Sequence, residues 1–138
     1  MTETFATAQD AEDAFYDAIE EGNAERMASV WGGAPDIACL LPMQPLFHGD
    51  EARNLWAPLF AQGGALDLQV RHIRWVELAD LAIHYVTEWI KPPTGQRAPP
   101  PLYATNIFRK GPAGWNLLLH QCSPTPPPPG AMGGQTPA

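Results

Sequence analysis

The side chains best suited to proton transfer in this sequence are its four histidines, because imidazole titrates closest to neutral pH. His48 precedes a glycine in a predicted loop, whereas His84 and His120 lie in apolar runs that predict strands. These three are the candidate catalytic residues. The fourth, His72, lies on the first long predicted strand and is expected to be half exposed. None has the spacing to another His, Cys or carboxylate that is typical of a metal site, so we expect no metal and no cofactor.

A cofactor-free dehydratase or cyclase needs a histidine and a carboxylate within hydrogen-bond reach. The sequence offers two such pairings, Asp36 with His48 and Glu88 with His72. By period-two alternation Glu88 also shares a strand face with His84, but at about 13 Å along the strand it is too far for direct contact. The spacing alone therefore leaves the catalytic residue open.

The residue types also allow a binding site for an apolar ligand. Trp31 and Trp56 fall on predicted helices that face the sheet, although plain aromatic core packing is the simpler interpretation. Together with Phe15, Tyr16 and Tyr103 they form the predicted lining of an apolar pocket. Phosphate-binding glycine loops, nucleophile elbows and cysteine–histidine nucleophile patterns are missing from the sequence.

Composition narrows the class of protein. The chain has 138 residues and a net charge of -7, which makes nucleic acid a poor partner because phosphate binding needs a basic surface. The two cysteines, Cys39 and Cys122, are isolated in apolar runs and are expected to be buried thiols. The first seven residues lack the features of a signal peptide, and no apolar run is long enough to span a bilayer. We therefore expect a soluble, cytoplasmic protein without a membrane partner.

Many of the acids fall in the first helical region, where a solvated helix face is the expected structure. These acids are Asp10, Glu12, Asp13, Asp17, Glu20, Glu21 and Glu25.

Hydrophobic periodicity predicts an α+β fold with helices first and an antiparallel sheet after them. The predicted helices are 8–21, 24–31 and one that begins near 49–50 and is kinked or broken near Pro58. The predicted strands are 37–41, 68–77, 81–89, 102–110 and 115–123. One domain is expected over residues 1–123, followed by a disordered Pro/Gly-rich tail over 124–138.

Three stretches carry a resemblance to a known family. The segment "AFYDAIEEGNAERMASVW" (14–31) resembles the first two helices of the nuclear transport factor 2-like superfamily, in its SnoaL-like and ketosteroid-isomerase-like branches. The segment "FHGDEARNLWAPLF" (47–60) is similar to its glycine-led third helix. The segment "YATNIFRKGPAGWNLLLHQCSP" (103–124) resembles its closing hairpin, in which His120 matches a position that is often histidine.

The resemblance implies a cystatin-like cone, in which a curved antiparallel sheet wraps around a helix and leaves an apolar pocket at its open end. It also implies a homodimer through the outer sheet face. This agrees with the last predicted strand, where Leu117 and Leu119 occupy one face and Leu118 and Cys122 the other.

The resemblance argues against a ketosteroid isomerase of the usual kind. The family's helix-one tyrosine falls at Phe15, and its base aspartate falls within 39–41, where no carboxylate exists. We therefore expect a protein that binds a small apolar molecule, with or without acid-base chemistry of the isomerase, dehydratase or cyclase type. The alternative is a non-catalytic dimeric scaffold or accessory subunit whose cavity is filled by its own side chains, among them Trp31, Trp56 and Phe60.

Overall fold

The computed structural model describes residues 2–63 and 66–126. The helices are α1 (Ala8–Glu21), α2 (Ala24–Trp31), α3 (Asp50–Asn54) and α4 (Trp56–Ala61). The strands are β1 (Ala38–Leu40), β2 (Phe47–His48), β3 (Leu68–Glu77), β4 (Leu81–Ile90), β5 (Leu102–Gly111) and β6 (Gly114–Pro124).

All six strands form one open sheet in the order β2-β1-β6-β5-β4-β3. The four long strands pair antiparallel, as predicted. The sheet is nevertheless mixed, because β1 runs parallel to β6. The short strand β2, which the sequence pattern did not predict, pairs with β1. The helices α1 and α2 contact β6, which confirms the α+β class.

Local capping explains why the first two helices begin and end as predicted. The Thr7 side chain accepts a hydrogen bond from the Asp10 amide at 3.0 Å and starts α1. Gly22 ends α1 in the left-handed conformation at φ 65°, which glycine adopts without steric cost. Asn23 then accepts from the Arg26 amide at 3.0 Å and starts α2.

The predicted third helix is divided at Leu55 into α3 and α4, one turn before Pro58. Pro58 has no amide hydrogen to donate to the carbonyl of Asn54, and its ring crowds that carbonyl, so a continuous helix cannot form there. Within α4 the proline lies in the first turn, where it is tolerated. The predicted break is confirmed. It falls next to Asn54, whose carbonyl would have no amide hydrogen to accept in a continuous helix.

A β-bulge at Ile73 changes the face that β3 residues occupy. The pairing shifts between His72 and Arg74, so that His72 lies opposite Val86 and Trp75 lies opposite His84. Residues at opposed positions share a face of the sheet. His72 and Trp75 therefore both lie on the face that packs against the helices, hereafter the inner face.

A second bulge, at Leu118 on β6, overturns the strict alternation predicted for that strand. Phe108 pairs with Leu117, whereas Ile107 pairs with Leu119. As a result Leu117 lies on the inner face together with Cys122, and the two are 1% and 5% exposed. The prediction that Leu117 and Cys122 lie on opposite faces is wrong, because the bulge at Leu118 inserts one residue and reverses the alternation.

The last strand extends one residue beyond its predicted end at residue 123. Pro124 belongs to β6 and is paired with Leu102. The Thr125 hydroxyl donates to the Pro101 carbonyl at 2.9 Å. The tail predicted from residue 124 thus begins inside the sheet, and its portion 127–138 lies outside the described residues.

The two cysteines are free and buried, as predicted. Within residues 2–63 and 66–126, no helix combines the length and the apolar composition that a bilayer-spanning segment requires.

Gly114 at the β5–β6 turn provides a test of this fold. It has φ 130°, and a Cβ there would overlap the Phe5 carbonyl, which accepts from the Trp115 amide at 2.8 Å. Gly114→Ala should lower the free energy of unfolding by about 2–4 kcal/mol, measured by chemical denaturation. The matched control is Gly33→Ala, since a Cβ at Gly33 meets nothing within 4 Å. Equal stability of the two variants would contradict the described turn.

Candidate functional site

A group of polar side chains lies between α1 and the inner face of the sheet, and we call it the polar cluster. Most of its members are buried, and the partly exposed one is His72, whose side chain is 29% exposed. Its members are Glu12, Tyr16, His72, His84, Glu88, Asn106, His120 and Cys122. Buried polar groups need partners, so the hydrogen bonds among these residues determine what each can do.

Glu12 holds one end of the polar cluster. Its Oε2 lies 3.0 Å from His84 Nδ1 and accepts from Asn106 Nδ2 at 3.1 Å, while Oε1 contacts His72 Nε2. Burial opposes ionisation of this carboxyl, but His84, His72 and Asn106 outweigh it and lower the pKa of Glu12. Glu12 is 1% exposed, so its predicted place on a solvated helix face is wrong.

The position of Glu12 follows from helix geometry. Ala8, Glu12 and Tyr16 are four residues apart, so they form one ridge along α1. All three are buried against the inner face. The buried side of α1 is wider than the apolar stripe alone indicated.

Asn106, in the middle of β5, connects the two ends of the polar cluster. Its Nδ2 group donates to both Glu12 and the Tyr16 hydroxyl, the latter at 2.9 Å. Its Oδ1 is therefore the acceptor that faces His120 Nδ1 at 2.6 Å. Because an amide oxygen cannot donate, His120 carries its hydrogen on Nδ1 and presents Nε2 as a proton acceptor.

The other end of the polar cluster is formed by Glu88, His120 and Cys122. His120 Nε2 lies 3.0 Å from Cys122 Sγ and 4.0 Å from Glu88 Oε2. Burial lowers the pKa of His120, although the nearby carboxylates of Glu88 and Glu12 oppose this effect. His120 is therefore neutral at neutral pH and able to take up a proton.

Tyr16 donates its hydroxyl hydrogen to Glu88 Oε2 at 2.7 Å. Burial, reinforced by the charge of Glu88, raises the pKa of Tyr16 well above its usual value. The phenol keeps its proton and fixes the orientation of the Glu88 carboxylate.

A cavity of about 350 Å³ opens next to these groups. Its polar lining residues are Glu88, His120 and Cys122. All three are buried, with polar atoms within 4.8 Å of one another, and together they form its inner end, hereafter the cavity end. The rest of the cavity wall is apolar. The apolar lining residues are Ile19, Leu41, Pro42, Trp56, Leu59, Phe60, Leu66, Leu68, Ile90 and Leu102.

The predicted pocket residues fall in different places. Trp56 lines the cavity. Phe15 and Trp31 are fully buried in the core, where the Phe15 ring packs 5.6 Å from Trp56 and 4.7 Å from His120. Neither residue lines the cavity, but Phe15 packs against Trp56 and His120, which do, and Trp31 packs against Phe15. Tyr103 lies on the opposite, outer face of the sheet and is 44% exposed, because it is paired with Thr87 on that face.

The candidate catalytic histidines are likewise separated. His120 lines the cavity, whereas His84 is bonded to Glu12 and its Nε2 has no partner among the described residues. His48 is exposed on β2. Of the two suggested pairings, neither is present among the described contacts: Asp36 forms a two-bond ion pair with Arg109, and Glu88 contacts His120 rather than His72.

Among the residues that the structure describes, two sets of ligand atoms are close enough together to hold a metal ion, although the linear spacing did not indicate them. Each set has ligand atoms within 4.8 Å of one another. One consists of Glu12, His72 and His84, which already bond to each other, and the other is the cavity end. In the second set burial, and then the charge of Glu88, raise the pKa of the Cys122 thiol, which opposes the thiolate that a metal ion needs.

Replacement of Glu12 by Gln tests the buried carboxylate. Its amide cannot accept every donor that Glu12 receives, so Glu12→Gln should lower the free energy of unfolding by about 2–4 kcal/mol at pH 7. The folded-state pKa of Glu12 lies below its unfolded value of about 4.3. Its stabilisation is therefore present above about pH 5 and is lost as pH falls through the folded-state pKa.

Urea denaturation between pH 3 and 7 should show the gap between wild type and Glu12→Gln closing at the acid end. Glu20→Gln, an exposed position on the same helix, serves as the control and should match wild type throughout. A pH-independent gap would contradict an ionised Glu12.

Solved structures share this fold. A candidate calcium/calmodulin-dependent protein kinase type II association domain from Thiobacillus denitrificans ATCC 25259 is 31% identical, with a TM-score of 0.83, over 90% of this chain and 99% of that one. A candidate dehydratase of the nuclear transport factor 2-like family from Streptomyces avermitilis is 28% identical, with a TM-score of 0.68, over 83% and 91%.

A ketosteroid isomerase-like protein from Erwinia carotovora atroseptica SCRI1043 shares the fold at 17% identity and a TM-score of 0.64, over 86% of this chain and 94% of that one. No curated protein matches the sequence. The family described as SnoaL-like domain matches residues 9–127, which includes every member of the polar cluster. The chain therefore belongs to the SnoaL-like domain family, in the nuclear transport factor 2-like superfamily.

Proposed function

We propose that the cavity binds a small, mostly apolar molecule and that His120 moves a proton to or from it without a cofactor. The observation that carries this proposal is the position of His120 and Glu88 at the inner end of an otherwise apolar cavity. Such cavities, with a few convergent polar groups, are typical of small-molecule sites. Membership of the SnoaL-like family and the similarity to a candidate dehydratase support the same class of chemistry.

In this proposal His120 is the proton acceptor. Asn106 accepts the Nδ1 hydrogen, so Nε2 carries the lone pair, and a ligand takes the place of the Cys122 thiol that lies 3.0 Å from it. A general base works best when it is unprotonated at the working pH and its orientation is fixed. The lowered pKa of His120 satisfies the first condition, and the 2.6 Å contact with Asn106 satisfies the second.

Glu88 and Tyr16 have supporting roles. The carboxylate lies 4.0 Å from Nε2, so a ligand that reaches His120 also meets Glu88. Tyr16, as a phenol that retains its proton, donates to Glu88 and holds it in this position. Residues 39–41, where the isomerase base would fall, contain no carboxylate. In this proposal the base is His120, and the carboxylate beside it is Glu88 on β4.

Deuterium exchange tests this proposal without knowledge of the natural substrate. Small ketones and hydroxy ketones, with and without an amino group, are incubated with protein in D2O, and NMR measures deuterium next to the carbonyl. Wild type should accelerate exchange in at least one compound. His120→Gln should lower that rate by about 100-fold or more, because general-base catalysis contributes about 10²–10⁴-fold.

His48→Gln is the matched control, since His48 is exposed and does not line the cavity. It should retain the wild-type rate, and circular dichroism should show that both variants are folded. Exchange at the wild-type rate in folded His120→Gln would exclude His120 as the base.

Assembly is a second candidate function, and a separate observation favours it. Tyr85, Trp89 and Tyr103 lie on the outer face of the sheet and are 37%, 45% and 44% exposed. Exposed apolar patches of this kind often mark protein interfaces. The similarity to a candidate kinase association domain agrees with assembly, and the exposed aromatic side chains are the reason for proposing a homodimer through the outer face.

Sedimentation velocity across micromolar concentrations tests this interface. Wild type should sediment as a dimer, and Trp89→Glu should shift it towards monomer, because a buried unpaired charge is costly. Leu46→Glu, at a 56% exposed position outside the sheet face, should remain dimeric. A wild-type monomer at every concentration would contradict the interface.

A cytoplasmic location is also a proposal. It rests on the two free, buried thiols, which are compatible with a reducing compartment. Fractionation of the source cells would test it.

A further inference from the structure

We propose that the molecule bound in the cavity carries a protonated amine whose N–H groups are received by the Glu88 carboxylate and His120 Nε2. This inference rests on the proposed binding of a small molecule in the cavity and does not require proton transfer. It concerns the resting complex, since a ligand proton can pass to Nε2 only when the ammonium is held by Glu88 alone.

The charge balance at the inner end of the cavity is the first argument. Glu88 is the carboxylate there, and the described lining residues include no lysine or arginine. Its direct partners, the Tyr16 hydroxyl and the Cys122 thiol, are neutral donors. A buried carboxylate without an opposite charge is costly, and an ammonium group would supply that charge.

This distinguishes Glu88 from the other buried carboxylate of the polar cluster. Glu12 contacts two histidines and an asparagine amide, so its hydrogen-bonding capacity is satisfied within the protein. Glu88 receives one strong hydrogen bond, from Tyr16, and a long 3.5 Å contact from Cys122. The unmet capacity of Glu88 faces the cavity, which it lines.

The hydrogen-bonding character of the cavity end is the second argument. Asn106 requires the hydrogen of His120 to lie on Nδ1, which makes Nε2 an acceptor. Glu88 is also an acceptor, 4.0 Å away. The Cys122 thiol, 3.0 Å from Nε2 and 3.5 Å from Glu88, is a weak donor that an ammonium would replace. An ammonium can donate to both at once, whereas a carboxylate or phosphate would place its oxygens against two acceptors.

The cavity wall suits the remainder of such a ligand. Trp56 and Phe60 both line it, with ring centroids 5.9 Å apart. Aromatic faces attract cations and also pack against an apolar body. The cavity volume of about 350 Å³ is at the small end of the range for small-molecule sites, which favours a compact aryl or alkyl amine.

Isothermal titration of metal-stripped protein in EDTA at pH 7 tests the inference with three probes of similar size. These are 2-phenylethylamine, 2-phenylethanol and 3-phenylpropionate. The amine should bind at least about tenfold more tightly than the alcohol, and the carboxylate most weakly, because its charge repels Glu88. In Glu88→Gln the preference for the amine should disappear while alcohol binding persists. Glu20→Gln should behave as wild type.

The alternative outcomes separate this inference from the proposed function. Equal affinity for the three probes, or an amine preference that survives Glu88→Gln, would overturn the amine while leaving cavity binding intact. Failure of every probe to bind would overturn both. Amine binding that requires added Zn²⁺ and is absent in EDTA would also overturn the inference, since the cavity end would then act as a metal site.

Discussion

The Glu12 carboxylate is a buried charge, and its contact with Asn106 determines the direction of the hydrogen bond between Asn106 and His120. It is 1% exposed and receives donors from His84 and Asn106 at 3.0 and 3.1 Å. An isolated carboxylate in this environment would be strongly destabilising. Because Asn106 must present its amide nitrogen to Glu12, its oxygen faces His120. A charged residue of α1 therefore determines which nitrogen of His120 carries the hydrogen and which nitrogen can accept one.

The contrast between two buried carboxylates explains how one cluster serves both stability and function. Glu12 is enclosed by donors and contributes to folding. Glu88 is held by Tyr16 and lines a cavity whose other walls are mainly apolar. Low polarity around Glu88 and His120 strengthens their electrostatic interactions with any bound group. Ligands are therefore selected by their charge and by their hydrogen-bond donors.

The sequence predicted the elements better than the site that they build. Periodicity and caps located α1, α2 and the four long strands, because these signals are local. The site depends on contacts between distant segments, such as that between Asn106 and Glu12, which are 94 residues apart. Bulges at Ile73 and Leu118 altered the faces of two strands. His120 is a candidate from the sequence, but the sequence pairs Glu88 with His72. A linear sequence does not show that β4 and β6 lie on either side of β5, which brings Glu88 close to His120.

The central claim is that neutral His120 presents an unprotonated Nε2 to the cavity. Long-range ¹H–¹⁵N NMR of the histidine side chains at pH 7 measures this directly, because the nitrogen shifts distinguish the two neutral tautomers from the imidazolium. The account predicts that His120 is neutral with its hydrogen on Nδ1. A hydrogen on Nε2, or an imidazolium at this pH, would contradict it.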